Sequence, residues 1–350
     1  MPASKSRRWL KKALVRSSIL PIASRFFAPS AAILAYHSVV EDPQLTDYIL
    51  GSSRARAHFA RHIETLARKF SPVTIDDVAE FARTGKESGR KLPPRAVAVT
   101  FDDGFADNYE VALPVLARYS VPATFYIMVD AVENGTLPWY CRIRFAFNTT
   151  KKPEWTYPET GRTYKLTTPE DRRAAMPVAW DRGAALAGEA QRKFVESVEQ
   201  ALDIDPQNAK SKHGLMMDWE QVRGLKKAGH TIGGHTLSHP NVAQVGVEEA
   251  RGEIFGCKQR IEERLGVPVE HFSYPHPALN PHWSSATLGI TRDAGFKSAV
   301  LTTYGSVRAG DDPLAMKRMY TPPDLDQFTL NLQSAFLRKS SSPAGPSQAG

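Results

Sequence analysis

The chain has only two cysteines in 350 residues, Cys141 and Cys257. That is too few for a disulfide framework, and no CxxC pair marks a zinc ribbon. They read as ordinary buried thiols. Asp and Glu are missing before Glu41, whereas Lys5, Arg7, Arg8, Lys11, Lys12, Arg16 and Arg25 all fall in the first 26 residues. The overall excess, 45 Lys+Arg against 37 Asp+Glu, is therefore partly local. A pI near 9.4 invites a nucleic-acid reading, but the charge sits in one segment and no RNA or DNA motif accompanies it, so nucleic acid is not the expected partner. The same segment lacks a long apolar run: Ser18–Ala23 is short and broken by Pro21. It is expected to form neither a secretory signal nor a transmembrane helix, which makes a cytoplasmic enzyme the default. Trp9, Leu10, Leu14, Ile19, Leu20, Phe26 and Phe27 among the basic residues suit peripheral contact with an anionic inner membrane face; a helix packed on the domain is the alternative.

What is present is an α/β pattern, with 42% hydrophobic residues to build a core. Ala31–Val40, AAILAYHSVV, reads as a buried strand ending in Tyr36-His37. His58–Phe70 and Thr74–Arg83 carry a helical period, and residues 84–95 form a Gly/Pro/charge loop. Ala96–Gly104, AVAVTFDDG, and Val121–Val129, VPATFYIMV, are near-continuous apolar strands separated by a helical stretch, as in a parallel sheet. From about 133 to 214 the alternation breaks. Trp139, Trp155 and Trp180 are scattered, Lys151–Lys165 is polar, and Arg172–Leu202 is mostly helical. This segment reads as a mainly helical insertion, a lid or specificity element, with integral helical packing as the alternative.

Regularity returns with a helix at Asp218–Ala228 closed by Gly229, a short strand at His230–Gly234, and an amphipathic helix at Glu248–Leu265 stopped by Gly266 and Pro268. His271–Pro275 is the next strand. Trp283–Gly295 and Phe296–Thr302 repeat helix then strand, and Arg318 lies near a last short element. The expected layout is a basic segment at 1–29, one catalytic domain at 30–325 and a disordered Ser/Pro/Ala/Gly tail at 338–350.

Chemistry concentrates at the predicted strand ends, where barrels and open α/β sheets build their sites. Adjacent residues of a strand face opposite ways, so Asp102 and Asp103 can share one site only if the backbone turns there, which Gly104 permits. The alternative is an N-cap and turn pair opening the next helix. His235 and His239, in HTLSH, are close enough to hold one ion if the intervening residues turn. Two imidazoles and one carboxylate make a three-ligand set for a catalytic divalent metal, with zinc the first expectation. His37 and His276 are further strand-end histidines; each has an ordinary structural reading as well.

TFDDG at 100–104, HTLSHPN at 235–241 and FSYP at 272–275 together resemble the polysaccharide deacetylases of carbohydrate esterase family four, the chitooligosaccharide deacetylase homology domain. The resemblance covers roughly residues 30–320. It implies a deformed (β/α) barrel of about seven parallel strands and an amide hydrolase acting on N-acetylated sugars. Asp103 would then ligate the metal with His235 and His239, and Asp102 would be the general base. Two departures stand out. Many members have an arginine in the third motif to orient the base, and Ser273 stands at that place, which leaves Arg318 as a substitute. The late Leu-x-Leu-His motif that supplies the general acid is missing, since no histidine follows His282. His37 and His276 are the replacements at hand. His37 ranks first, because a Tyr-His strand this early resembles one branch of the family. Tyr274, Pro275 and His276 are expected to wall the sugar pocket.

The leading expectation is therefore a metal-dependent N-deacetylase of an N-acetylhexosamine in a saccharide or glycolipid precursor. The alternatives are hydrolysis of a C–N bond in a non-sugar amide, and a glycan-binding protein that has lost catalysis.

Overall fold

The computed structural model describes residues 30–45, 47–51, 53–84, 92–205 and 215–337. The basic segment 1–29, part of the 84–95 loop, the end of the 133–214 segment and the expected tail 338–350 lie outside the described residues.

Seven strands form the centre: β1 Ser30–Tyr36, β2 Ala96–Phe101, β3 Ala123–Ile127, β4 Thr231–Gly234, β5 His271–Ser273, β6 Ser298–Tyr304 and β7 Met316–Tyr320. Each pairs in parallel with the next, and β1 pairs in parallel with both β2 and β7. The ring therefore closes into the expected deformed barrel. Two short strands distort it: Val307–Arg308 runs antiparallel along the start of β1, and Ser71–Pro72 lies beside the start of β2. β1, β2 and β3 are buried at every position, because one face lines the barrel and the other meets helices. That is why they read as unbroken apolar runs rather than alternating ones.

The helices on the outside are α1 Arg56–Lys69, α2 Ile75–Thr84, α3 Leu113–Arg118, α4 Trp139–Thr149, α5 Pro169–Ala184, α6 Gly188–Ala201, α7 Trp219–Lys227, α8 Val247–Leu265, α9 Ser285–Asp293 and α10 Leu325–Ala335. The boundaries of α7 and α8 follow the local chemistry. The Asp218 carboxylate caps α7 by accepting from the Gln221 N–H, and Gly229 and Gly266 take up the left-handed backbone past the two helix ends (φ 89° and 67°). No helix among the described residues is long and apolar enough to cross a membrane.

The barrel interior changes character along its axis. At the amino end Ile33, Tyr126, Val300 and Met316 pack with Ile75 and Val78 of α2. Gly233 makes room for this layer, since a Cβ there would sit 2.5 Å from the Tyr126 ring and 2.7 Å from the His271 carbonyl. Two residues further along the strands, the inward positions become polar: Thr100 and Asp102 after Ala98, and Arg318 after Met316. The carboxyl end of the barrel is therefore a buried polar floor on an apolar plug.

Candidate active site

Asp102 continues the inward face of β2, and its backbone N–H donates to the Tyr36 carbonyl at 3.0 Å. At Asp103 the chain turns: φ is 78° there and 87° at Gly104. The turn that the two adjacent acids require therefore begins at the second acid itself and aims both carboxylates at the carboxyl end. Of the seven non-glycine residues with positive φ in the described chain, three belong to this site, Asp103, Thr236 (64°) and His239 (62°). Backbone strain of this kind persists only where the surroundings over-determine it.

Those surroundings are visible around the 235–239 turn that follows β4. Glu253 of α8 accepts from the backbone N–H groups of Leu237 and Ser238 (2.9 and 2.8 Å) and from the Ser238 hydroxyl (2.5 Å). Thr236 Oγ1 accepts from the His239 N–H at 3.0 Å, and the Trp139 indole donates to the His239 carbonyl at 2.9 Å. The turn is also bonded to the helical segment: the Gly188 N–H donates to Ser238 Oγ, and the Asn241 N–H to the Ala184 carbonyl.

Asp103, His235 and His239 thus converge, with their candidate ligand atoms within 4.8 Å of one another and all three residues buried. Both imidazole Nε2 atoms lie 3.4 Å from Asp103 Oδ1. His235 Nδ1 lies 2.7 Å from the Ser273 carbonyl, which can only accept, so Nδ1 carries a proton and Nε2 is the ligand atom. Burial pushes His239 down to about 3, which keeps its ring neutral near pH 7. Asp103 Oδ1 and His239 Nδ1 are buried without a hydrogen-bond partner. Of the two, Asp103 Oδ1 is an open buried acceptor that faces the cluster, whereas His239 Nδ1 lies on the far side of the ring from the Nε2 that faces Asp103. The two carboxylates beside His235 raise its pKa against the effect of burial, so its Nε2 proton is the one a cation would replace. The donor set of two imidazoles and one carboxylate fits a divalent cation.

Beside it lies a buried ion pair. Arg318 Nη1 and Nη2 donate to the two oxygens of Asp102 at 2.8 and 2.7 Å, and Asp102 and Arg318 are each 2% exposed. Nη2 also donates to Ser273 Oγ (3.1 Å), and Nε donates to the Leu301 carbonyl (3.0 Å). Burial alone would raise the Asp102 carboxyl; the Arg318 guanidinium outweighs it and holds the acid below its usual range. The serine at the expected arginine position is therefore part of the seat for an arginine from another strand.

His37, at the end of β1, has its Nε2 3.9 Å from Asp102 Oδ2 and its side chain 47% exposed. Its loop is held by Asp107, whose carboxylate accepts from Ser38 Oγ (2.5 Å), the Val39 N–H (2.9 Å) and Asn108 Nδ2 (2.8 Å). Asn108 Nδ2 donates also to the His37 carbonyl at 2.8 Å. Loss of hydration pushes Asp107 up to about 7 despite these bonds.

The two acids and the site histidines open into one cleft. His37, Asp102, Asp103, His235, His239 and His276 line it. Tyr274 does not: strand alternation turns Ser273 inward and Phe272 and Tyr274 outward, where the Tyr274 hydroxyl donates to Thr291 of α9. Tyr274 and Pro275 are buried outside the lining; of the three residues expected to wall the pocket, His276 lines it, with Pro277 beside it. The rest of the lining includes residues given no role on sequence grounds, Tyr140, Arg144 and Trp180 of α4 and α5. The Tyr140 ring is 4.9 Å from that of His239. Trp139 and Trp180 read in the sequence as scattered aromatics within a segment expected to be a lid or specificity element, and α4 and α5 of that segment supply part of the cleft lining.

Comparison with known proteins follows the same lines. The family model for polysaccharide deacetylase matches residues 89–299. The fold superimposes on the Streptococcus pyogenes deacetylase PplD in complex with acetate, with a TM-score of 0.56 at 18% identity, covering 88% of this chain and 99% of that one. It also superimposes on IcaB from Ammonifex degensii, with a TM-score of 0.53 at 19% identity, covering 88% and 98%. A curated relative, YxkH of Bacillus subtilis (strain 168), is 40% identical over 43 residues, which is 12% of this chain and 15% of that protein.

Proposed function

The chain belongs to the polysaccharide deacetylase family, and from that premise we propose that it removes the acetyl group from an N-acetylhexosamine in a glycan or glycolipid precursor, as a divalent-metal-dependent amide hydrolase. The observation that carries the reading is the adjacency of two different carboxylates. Asp102 is neutralised by Arg318, whereas Asp103 has an open buried oxygen facing two imidazole nitrogens.

Asp103, His235 and His239 would hold the cation, and zinc suits two imidazoles and a carboxylate. When bound, it would supply Lewis acidity to polarise the acetamide carbonyl and to acidify water. Asp102 takes the proton from the attacking water. Arg318 keeps that carboxylate ionised and fixes its plane, so the base is available near pH 7. His37 faces the same space from the solvent side and delivers a proton to the nitrogen as the C–N bond breaks, giving acetate and a free amine. Asp107 holds the loop that carries it. His276 and Trp180 border the sugar. A cytoplasmic setting with peripheral membrane contact through residues 1–29 completes the reading, supported by the basic and apolar composition of that segment.

The test is acetate release from N-acetylglucosamine oligomers and glycolipids by metal-loaded protein, beside Asp102→Asn and His235→Ala. Loss of a general base costs about 10²- to 10⁴-fold, so release should fall to background in both variants. If every substrate is inert while the protein binds metal stoichiometrically, the sugar deacetylase reading fails and non-sugar amides take its place.

A further inference from the structure

Arg144 is the only lysine or arginine on the cleft wall among the described residues. It lies one helical turn after Tyr140 on α4, so both side chains point to the same opening. Arg142, two residues earlier and on another face, is tied to Glu199 through two bonds of 2.9 and 2.6 Å. Arg144 has no carboxylate partner among the described residues, and the one hydrogen bond it makes to them is a long one, from Nη1 to the Ile49 carbonyl at 3.3 Å. The acids of the cleft do not neutralise it either. Asp102 is taken by Arg318, and Asp103 faces His235 and His239.

The guanidinium is nevertheless firmly placed. It lies 4.6 Å over the Trp180 ring, and Trp180 is fixed by its indole N–H donating to the Pro277 carbonyl at 2.6 Å. At Gly51 a Cβ would sit 2.6 Å from Arg144 Cζ and Nη1, so the glycine, at φ 86°, makes the space the guanidinium occupies. With Trp180 and Gly51 crowding its faces, the part left to bind is the edge that carries the N–H groups. A stacked arginine with a free edge is pre-organised for two-point recognition of an oxyanion.

We propose that Arg144 and Trp180 form an anion subsite, and that the saccharide carries a phosphate or carboxylate group next to the sugar held in the cleft. This rests on the deacetylase reading for the identity of the sugar, but not for the binding of the anion. The aromatic ring offers an apolar face to the sugar while the guanidinium edge takes the charge.

Calorimetric titration of glucosamine 1-phosphate, glucuronate and glucosamine into the wild type, Arg144→Gln and Arg144→Lys reads the subsite without turnover. The wild type should bind at least one anion about tenfold more tightly than glucosamine, with the two anions telling phosphate from carboxylate. That ratio should collapse in Arg144→Gln and be partly kept in Arg144→Lys, which has the charge without the fork. Equal affinities for anionic and neutral sugars in the wild type, or a preference unchanged in Arg144→Gln, would overturn the proposal. Acetate release from N-acetylglucosamine 1-phosphate and from N-acetylglucosamine is the parallel measurement. If neither is deacetylated while the Arg144-dependent preference persists, the subsite stands and the deacetylase reading falls; if both are deacetylated without preference, the reverse holds.

Discussion

The barrel gathers a histidine-acid cluster at each end. At the carboxyl end it is Asp103, His235 and His239; at the amino end it is Asp76, Glu270 and His271, with ligand atoms again within 4.8 Å. The two differ in what their atoms already do. His271 Nδ1 meets Ser298 Oγ at 2.8 Å and Nε2 meets Asp76 at 3.0 Å, while Glu270 pairs with Lys297. Every member of that cluster has a partner within the protein, and Asp76 is half exposed. At the other end the three residues are buried, and Asp103 Oδ1 and His239 Nδ1 have no partner. Proximity of ligand-type residues is therefore common to both ends, and complete burial around one open carboxylate oxygen is what sets one apart.

The largest effect should come from testing the two ends against each other for metal. The wild type should take up one equivalent of zinc, measured by elemental analysis after dialysis. His235→Ala should lose it and acetate release with it, whereas His271→Ala should still bind one equivalent. Two equivalents in the wild type, one of them lost in His271→Ala, would make the amino end a second metal site and break the contrast.

A second difference is charge. The carboxyl end holds a buried ion pair, and the amino end holds a partly exposed one. Arg318→Met would leave the Asp102 carboxylate buried and unpaired, which costs about 3–5 kcal/mol in such settings. Urea denaturation should show that loss, and adding Asp102→Asn to the same chain should recover much of it. A loss below about 1 kcal/mol would mean that water reaches Asp102, and the buried floor of the barrel would have to be redrawn.

Much of this was legible in the sequence, for physical reasons that differ from place to place. β1, β2 and β3 announced themselves because strands buried on both faces must be apolar throughout. β4 and β5 are only 4 and 3 residues long, and are legible through the alternation of helix and strand around them rather than through a long apolar run of their own. The need for a partner to Asp102 could be read from Ser273, and Arg318 was at hand; the bond itself spans 216 positions and exists only because β7 closes against β1. Tyr274 departs from the expected wall because strand alternation sends it to the face opposite Ser273, which a motif taken as one unit does not show. The segment that carries Arg144 and Trp180 reads as a lid or specificity element, but the helical period of α4 and α5 does not single out these two residues as the ones that reach the cleft. Asp107 and Glu253 are similar: each lies on a helical stretch where an acid looks solvated, and only the fold turns it onto a loop that carries a site histidine.

The smallest effect belongs to the amino-end pair and follows from its exposure. The His271 hydrogen bond holds the Asp76 carboxyl below its usual value of 3.8, against the opposing effect of partial burial. An acid that titrates lower in the folded than in the unfolded chain lends stability above the unfolded value, and loses it as pH falls through the folded one. Asp76 is 52% exposed, so solvent screens the pair. Asp76→Asn should therefore cost under about 1 kcal/mol near neutral pH, and the gap from the wild type should close as urea denaturation is repeated below pH 3.8. A gap that stays constant through the acid range would mean that the contact is packing rather than charge. A gap as large as that of Arg318→Met would mean that the two ends of the barrel are energetically alike, and exposure would lose its standing as the feature that separates them.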